Sequence, residues 1–256
     1  MGTTGGGLTL RHEVPTPALI LDLDVLDRNI ATMVERAGTL GVALRPHAKS
    51  HKCIEIAQRL LRAGAIGASC ATLGEAEAMA DGGISGILLT SPVASLNQLA
   101  RLQRLLVRGA EVGAVADHPG NIEAYAAVAR AAGRQLDVYV DFDFGLGRTG
   151  CVEYDDAIAL AGAIKANPHL AFRGLQAYWG NLQQVMPFSE RARLAGIQLE
   201  RVKALAAALA KSGLAPQIVT GAGTGTHMID GGSGVFTEMQ PGSFLFMDSC
   251  YGSITT

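Results

Sequence analysis

The sequence predicts an α/β fold of repeated βα units around a parallel sheet, and three observations carry that expectation. From about residue 18 onward, short runs of β-type residues alternate with alanine- and leucine-rich stretches of helical period. The 256 residues, 48% of them hydrophobic, suffice for the core of one (β/α)8 barrel, which commonly takes about 250 residues. No GxGxxG follows the first strand, which argues against a dinucleotide-binding sheet.

Nine strands are expected: Ala18 to Leu23, Val42 to Arg45, Ile66 to Cys70, Gly86 to Leu89, Glu111 to Ala116, Leu136 to Asp141, Ala171 to Gln176, Gln217 to Thr220 and Ser243 to Met247. Each is a short apolar run of strand length. Among the helices between them, Asp24 supplies an N-cap for one reaching about Thr39, Ser95 starts another, and Ser189 begins a long one ending near Lys211. The glycine-rich segment Gly221 to Gly242 breaks the rhythm and reads as loops whose backbone must approach something closely. Nine strands are one more than a barrel uses, so spacing alone leaves the barrel and an open doubly wound sheet both standing.

Composition narrows the partners. A net charge of -2 and a pI near 6.3 give no basic excess for nucleic acid or an anionic membrane, so small ligands are expected. Charged residues interrupt every apolar run before the ~20 residues needed to span a bilayer. Met1 to Arg11 has neither the basic start nor the apolar stretch of a secretory signal, and residues 1–15 read as a flexible tail. The cysteines, Cys53, Cys70, Cys151 and Cys250, are scattered without a CxxC pair, which fits reduced thiols in the cytoplasm.

The strongest chemical signal is Pro46-His47-Ala48-Lys49-Ser50-His51-Lys52. Pro46 resists helix, so Lys49 falls where a strand hands over to a loop. Desolvation and neighbouring cations lower a lysine's pKa, and the free amine is the form that makes a Schiff base. A solvated basic loop is the plain alternative. Thr220, Gly221, Ala222, Gly223, Thr224, Gly225 and Thr226 combine small residues with hydroxyls where barrels often bind phosphate, and the alternative there is a mobile connector. An amine and a phosphate cradle on one set of strand ends suggest pyridoxal 5'-phosphate. Arg148, between glycines after the Asp141 strand, can face a ligand or pair with Asp141 or Asp143. Tyr178 and Trp179 follow another strand end, where aromatics often pack a lid. His47 and His51 are four apart, but in a segment that Pro46 prevents from being plain helix, and HExxH is absent; His227 with Asp230 is a weaker pair still, and neither pair reads as a metal site.

Six segments occur in order: PHAKSHK (46–52), CATLGEAEAMADGG (70–83), DFGLGRTG (143–150), GLQAYWGN (174–181), VTGAGTGT (219–226) and MQPGSFLFMD (239–248). Together they resemble the D-threonine aldolase and D-serine dehydratase family, within the alanine-racemase-like fold-type III pyridoxal phosphate enzymes. The resemblance implies a TIM-type (β/α)8 barrel of the alanine racemase N-terminal domain type over residues 16–250. Residues 16–24 would form a strand that pairs with an accompanying β-domain, Ser243 to Met247 the eighth barrel strand, and residues 251–256 the start of that β-domain, of which only remnants are present.

It further implies that Lys49 joins the cofactor, that residues 220–226 hold its phosphate, and that Arg148, Tyr178 and, in a lesser role, Thr72 line it. His47, His51 or Tyr178 would supply the base. The activity implied is lyase chemistry on D-β-hydroxy-amino acids, first of all retro-aldol cleavage to glycine and an aldehyde. A D-serine or 3-hydroxyaspartate dehydratase, an amino-acid racemase and a non-catalytic cofactor-binding protein are the alternatives. A divalent metal (Mn, Mg or Zn) is expected for the family, with ligands in a portion that has no counterpart in this sequence. A homodimer is expected for the full-length protein.

Overall fold

Strands that are apolar on both faces stay out of water only if helices cover one face and packed side chains fill the other. The computed structural model describes residues 13–254 and meets that requirement. Its strands are β1 (Ala43–Leu44), β2 (Ala68–Cys70), β3 (Ile87–Leu89), β4 (Val112–Ala116), β5 (Leu136–Phe142), β6 (Leu170–Ala177), β7 (Ile218–Gly221) and β8 (Glu238–Met239). The helices are α1 (Leu23–Leu40), α2 (Ile54–Arg62), α3 (Leu73–Asp81), α4 (Leu96–Val107), α5 (Pro119–Ala132), α6 (Tyr154–Ala166), α7 (Phe188–Lys211), α8 (His227–Gly231) and α9 (Ser249–Gly252).

All eight strands are parallel, in the order β1-β8-β7-β6-β5-β4-β3-β2. The remaining seam, between β1 and β2, is closed by single contacts. Ile66 N–H donates to Leu44 O and Ser69 N–H to Pro46 O, both at 2.9 Å, and His47 bridges Ser69. The sheet thus curls into the (β/α)8 barrel.

Alternation along the strands sorts their side chains. Ile87, Leu89, Ala114, Val138, Val140, Leu175 and Val219 point outward into one core with helix residues such as Leu102, Tyr125, Leu160 and Val202. Leu88, Val115 and Tyr139 form a separate cluster with Ile218 inside the barrel. Each large side chain so buried contributes about 1.5–3 kcal/mol relative to exposure. Arg45 and Glu238 also lie inside, with Nη2 at 2.8 Å from Oε1 and Nε at 3.0 Å from Oε2. Burial works to lower the Arg45 pKa, and the Glu238 pairing outweighs it and raises it.

The structure corrects several sequence expectations. Ala18 to Leu23 is no strand here: residues 18–22 have no regular structure, and Leu19 and Ile20 are exposed. The helix that follows is capped by Asp22, which accepts from Val25 N–H, rather than by Asp24. Ser243 to Met247 is not the eighth strand, because Ser243–Leu245 is a 3-10 turn that buries Phe244 and Leu245. The eighth strand is Glu238–Met239, inside the segment read as loops, where Glu238 finds Arg45 across the seam. That segment also holds α8. Trp179 is core rather than lid, edge-on to Phe144 and Phe236 at centroid distances of 5.8 and 5.6 Å. Most of the expected flexible tail lies outside the described residues. Among the described residues no helix is long and apolar enough to cross a membrane.

Removing one member of the buried pair leaves an uncompensated charge in the barrel. Glu238→Leu is expected to lower the unfolding free energy by roughly 3–5 kcal/mol, and the double variant Arg45→Met with Glu238→Leu to recover most of it, both read from urea denaturation.

Candidate functional site

Parallel barrel strands deliver their last inward side chains to one rim, and here that rim is polar. Lys49, Arg148, Gln176 and Tyr178 share a cleft with the loops after β7 and β8.

Lys49 reaches it through a local device. After β1 and Pro46, the chain makes one 3-10 turn, Ala48–Ser50, capped by His47, whose Nδ1 accepts the Lys49 N–H at 3.3 Å. The Lys49 Nζ then lies 5.5 Å from the centroid of the Tyr178 ring, and the Arg148 guanidinium lies 5.9 Å from the same centroid. Desolvation lowers the Lys49 pKa first, the Arg148 charge lowers it further, and Glu75 opposes both. Its side chain still reaches solvent at the cleft mouth, so the desolvation is partial. Burial pushes the Tyr178 hydroxyl up to about 12, so it stays protonated at neutral pH.

His47 is buried and its hydrogen bonds settle its tautomer. Because Nδ1 accepts an N–H, the proton sits on Nε2, which donates to Thr90 Oγ1 at 3.2 Å; that hydroxyl donates to Cys70 O at 3.1 Å. Burial holds its pKa well below 6.5, helped by Lys49, Arg148, His51 and Lys52.

The loops after β7 and β8 line the same cleft with unpaired backbone amides. Gly223 and Thr224 follow β7, Gly242 and Ser243 follow β8, and all four line the cleft. None of their backbone N–H groups has a hydrogen-bond partner among the described residues. Groups of this kind are costly to leave unmade, and together they suit a dianion. The path to them is forced: Ala222 takes a left-handed φ of 58°, and a Cβ at Gly225 would sit 1.8 Å from Gln183 O. Gln183 Oε1 accepts the Gly225 N–H at 2.9 Å and fixes that turn.

Gln176, on β6, adds an acceptor. Its Nε2 donates to Thr90 O at 3.1 Å and Asp141 Oδ1 at 3.0 Å, and its Oε1 is buried with no partner among the described residues. Asp141 also accepts from Thr149 Oγ1 at 2.7 Å, beside Arg148. Burial raises the Asp141 carboxyl to about 6, with Gln176, Thr149 and Arg148 opposing.

Of the residues singled out by sequence, Lys49, His47, Arg148, Tyr178, Gly223 and Thr224 come together. His51 does not line the cleft, and its Nδ1 accepts the Cys53 N–H. Thr72 is the N-cap of α3, with Oγ1 accepting Glu75 N–H at 3.2 Å, and also lies outside the cleft lining. Thr220 is buried below, bonded to Gln240 Nε2; Gly221, Ala222, Gly225 and Thr226 shape the loop without lining the cleft. Arg148 forms no ion pair with Asp141 or Asp143; the Asp143 carboxylate accepts the amides of Gly145, Leu146 and Gly147. Thr90, Gln176, Gln240, Gly242 and Ser243 escaped the sequence reading. Their signal is a polar residue at the end of an apolar run for Thr90 and Gln176, and the Gln-Pro-Gly-Ser that follows β8 for the others. Among the described residues no three His, Cys, Asp or Glu side chains gather as a metal site.

Fold and cleft define a (β/α)8-barrel protein whose carboxyl rim holds a depressed-pKa amine in one cleft with four backbone amides unpaired among the described residues. The chain belongs to the alanine racemase N-terminal domain family, which matches residues 21–250. It is 39% identical over 244 residues to a 3-hydroxy-D-aspartate aldolase of Paracoccus denitrificans (strain Pd 1222), covering 94% of this chain and 63% of the relative. It is 40% identical over 242 residues to a D-threonine aldolase of Arthrobacter sp, with the same coverages of 94% and 63%. The crystal structure of D-threonine aldolase from Filomicrobium marinum superposes with a TM-score of 0.93 at 41% identity, covering 96% of this chain and 66% of that one. The chain thus spans a little under two thirds of the length of these relatives.

The His47 tautomer is testable. Its ring is expected to show no protonation by NMR on acidification from pH 8 to 6, whereas an ordinary histidine titrates near 6.5. The unfolded chain takes up the proton first, so this residue's share of stability declines as pH falls below 6.5.

Proposed function

We propose that this chain is the cofactor-binding barrel of a pyridoxal 5'-phosphate-dependent lyase that cleaves small D-β-hydroxy-amino acids to glycine and an aldehyde. The observation that carries the reading is the juxtaposition of Lys49 with four unused backbone amides across one cleft. A pyridoxal phosphate has an aldehyde for the first and a dianion for the second. The names of the relatives at 39% and 40% identity support the retro-aldol branch.

When bound, the cofactor supplies an electron sink for the bond that breaks. The chain's own groups bind, orient and hold protons. Gly223, Thr224, Gly242 and Ser243 would grip the phosphate through N–H donors, and Arg148 would offer fixed positive charge to an oxygen of the ligand. Tyr178 walls the cleft beside both cations and keeps its own proton. Retro-aldol cleavage needs a base at the β-hydroxyl. His47 has no free lone pair while Nδ1 serves the Lys49 backbone, and His51 lies outside the cleft lining. Lys49 is therefore the acid–base group left facing the ligand, its pKa lowered by desolvation and by the Arg148 charge.

A divalent metal finds no donor set among the described residues, and no step is assigned to one. The four cysteines are free thiols, which supports a reducing compartment such as the cytoplasm. Exposed Leu19, Ile20, Phe246 and Met247 support association, and a homodimer is the form proposed.

Incubation with pyridoxal 5'-phosphate is expected to give the absorbance band of a lysine-bound cofactor, fixed by borohydride at Lys49 and missing in Lys49→Ala. With D-threonine or D-3-hydroxyaspartate, release of glycine with acetaldehyde or glyoxylate supports the lyase. Ammonia with an oxo acid would instead assign a dehydratase, inversion of alanine a racemase, and bound cofactor without turnover a binding protein.

A further inference from the structure

Helix α1 precedes the first barrel strand and stands outside the βα repeats, yet it touches both loops of the anion cradle. Arg36 Nη1 lies 3.0 Å from His227 Nε2, and His227 Nδ1 lies 2.7 Å from Thr224 O. A carbonyl only accepts, so the imidazole proton is on Nδ1; Nε2 then offers a lone pair and accepts from the guanidinium. His227 is 2% exposed, and burial, Arg36 and Arg191 keep its pKa low against the raising effect of the Thr224 bond, so the relay holds. Two turns earlier, Asn29 Nδ2 donates to Leu245 O at 3.0 Å, in the turn that begins at Ser243. Residues so spaced share one helix face. The two loops are also joined directly, since Phe244 N–H donates to Thr224 Oγ1 at 3.1 Å.

We propose that α1 is a clasp for the phosphate subsite: Arg36, through His227, and Asn29 hold the loops after β7 and β8 at the spacing a phosphate dianion needs. This rests on the pyridoxal phosphate reading for the identity of the ligand, and on the four free amides for its charge. Arg36 forms no ion pair with a carboxylate among the described residues. It instead donates to the imidazole, which donates to the Thr224 carbonyl and so anchors the peptide that follows the free Gly223 and Thr224 amides. The next amide along, Gly225 N–H, is held by Gln183, so that peptide is fixed at both ends. Arg36, His227 and Asn29 line no part of the cleft and are positioning residues.

The test compares ligands with and without the phosphate. Titrations of pyridoxal 5'-phosphate and pyridoxal by absorbance, and of inorganic phosphate by calorimetry, would be run on the wild type, Arg36→Met, Arg36→Lys and Asn29→Ala, with melting temperatures recorded. Arg36→Met should weaken pyridoxal 5'-phosphate and inorganic phosphate about tenfold, the effect of one charge-assisted bond, and leave pyridoxal unchanged. Arg36→Lys should restore part of the loss. His227→Gln should match Arg36→Met, with the double variant no worse than either. If Arg36→Met does not fold, Asn29→Ala, which keeps the guanidinium, bears the same comparison. Equal weakening of pyridoxal and its phosphate, or no weakening of either, overturns the clasp. A wild type that binds inorganic phosphate but forms no lysine-bound cofactor overturns the proposed function and leaves the clasp standing. A wild type that binds neither overturns both.

Discussion

The barrel depends on the position of one guanidinium. Arg45 directly follows the short first strand, and its side chain forks onto Glu238 of β8 while Nη1 donates to Gly86 O ahead of β3. Its backbone adds to the same joint: its N–H donates to Met239 O, and its carbonyl accepts from Ser69 Oγ on β2. The ladders at this seam are the shortest in the sheet, two residue pairs between β1 and β8 and again between β7 and β8. Where backbone pairing is that sparse, a bidentate buried ion pair does the specifying, because no other register satisfies both charges. Lys49 follows within one turn, so the staple that closes the barrel also aims the amine.

The long elements were legible because each carries its own signal. Strands β5 and β6 and helix α7 are apolar runs with clear periods, and Ser95 caps α4 as its sequence suggests. Strand β8 was not legible. A two-residue strand containing a glutamate has no local signature, and its partner Arg45 is almost two hundred residues away in the chain. Phe244, Leu245, Phe246 and Met247 carried the apolar pattern of a strand; the first two are buried in a 3-10 turn and the last two exposed.

The site divides the same way. Lys49 and the Gly223-Thr224 loop announced themselves by type and position, a lysine among histidines after one apolar run and glycines alternating with hydroxyls after another. Gln176 and Thr90 did not, because their meaning lies in a three-way contact with Asp141 and His47 across strands β3, β5 and β6 and the turn after β1. His47 shows the limit of reading chemistry from residue type. An imidazole next to a reactive amine suggests a base, whereas its hydrogen bonds make it a cap that orients the Lys49 backbone. Among the described residues no carboxylate lines the cleft; Asp141 and Glu75 stand outside its lining, which leaves its cationic character intact.

The short ladders have a mechanical meaning. Lys49 hangs from β1, and the free amides hang from the ends of β7 and β8, so the two short ladders of β8 separate the two halves of the site. Any molecule joined to the amine at one end and gripped by the amides at the other is a strap across them. Filling the site would therefore lend rigidity where the ladders are short, making folding and ligand capture two aspects of one equilibrium.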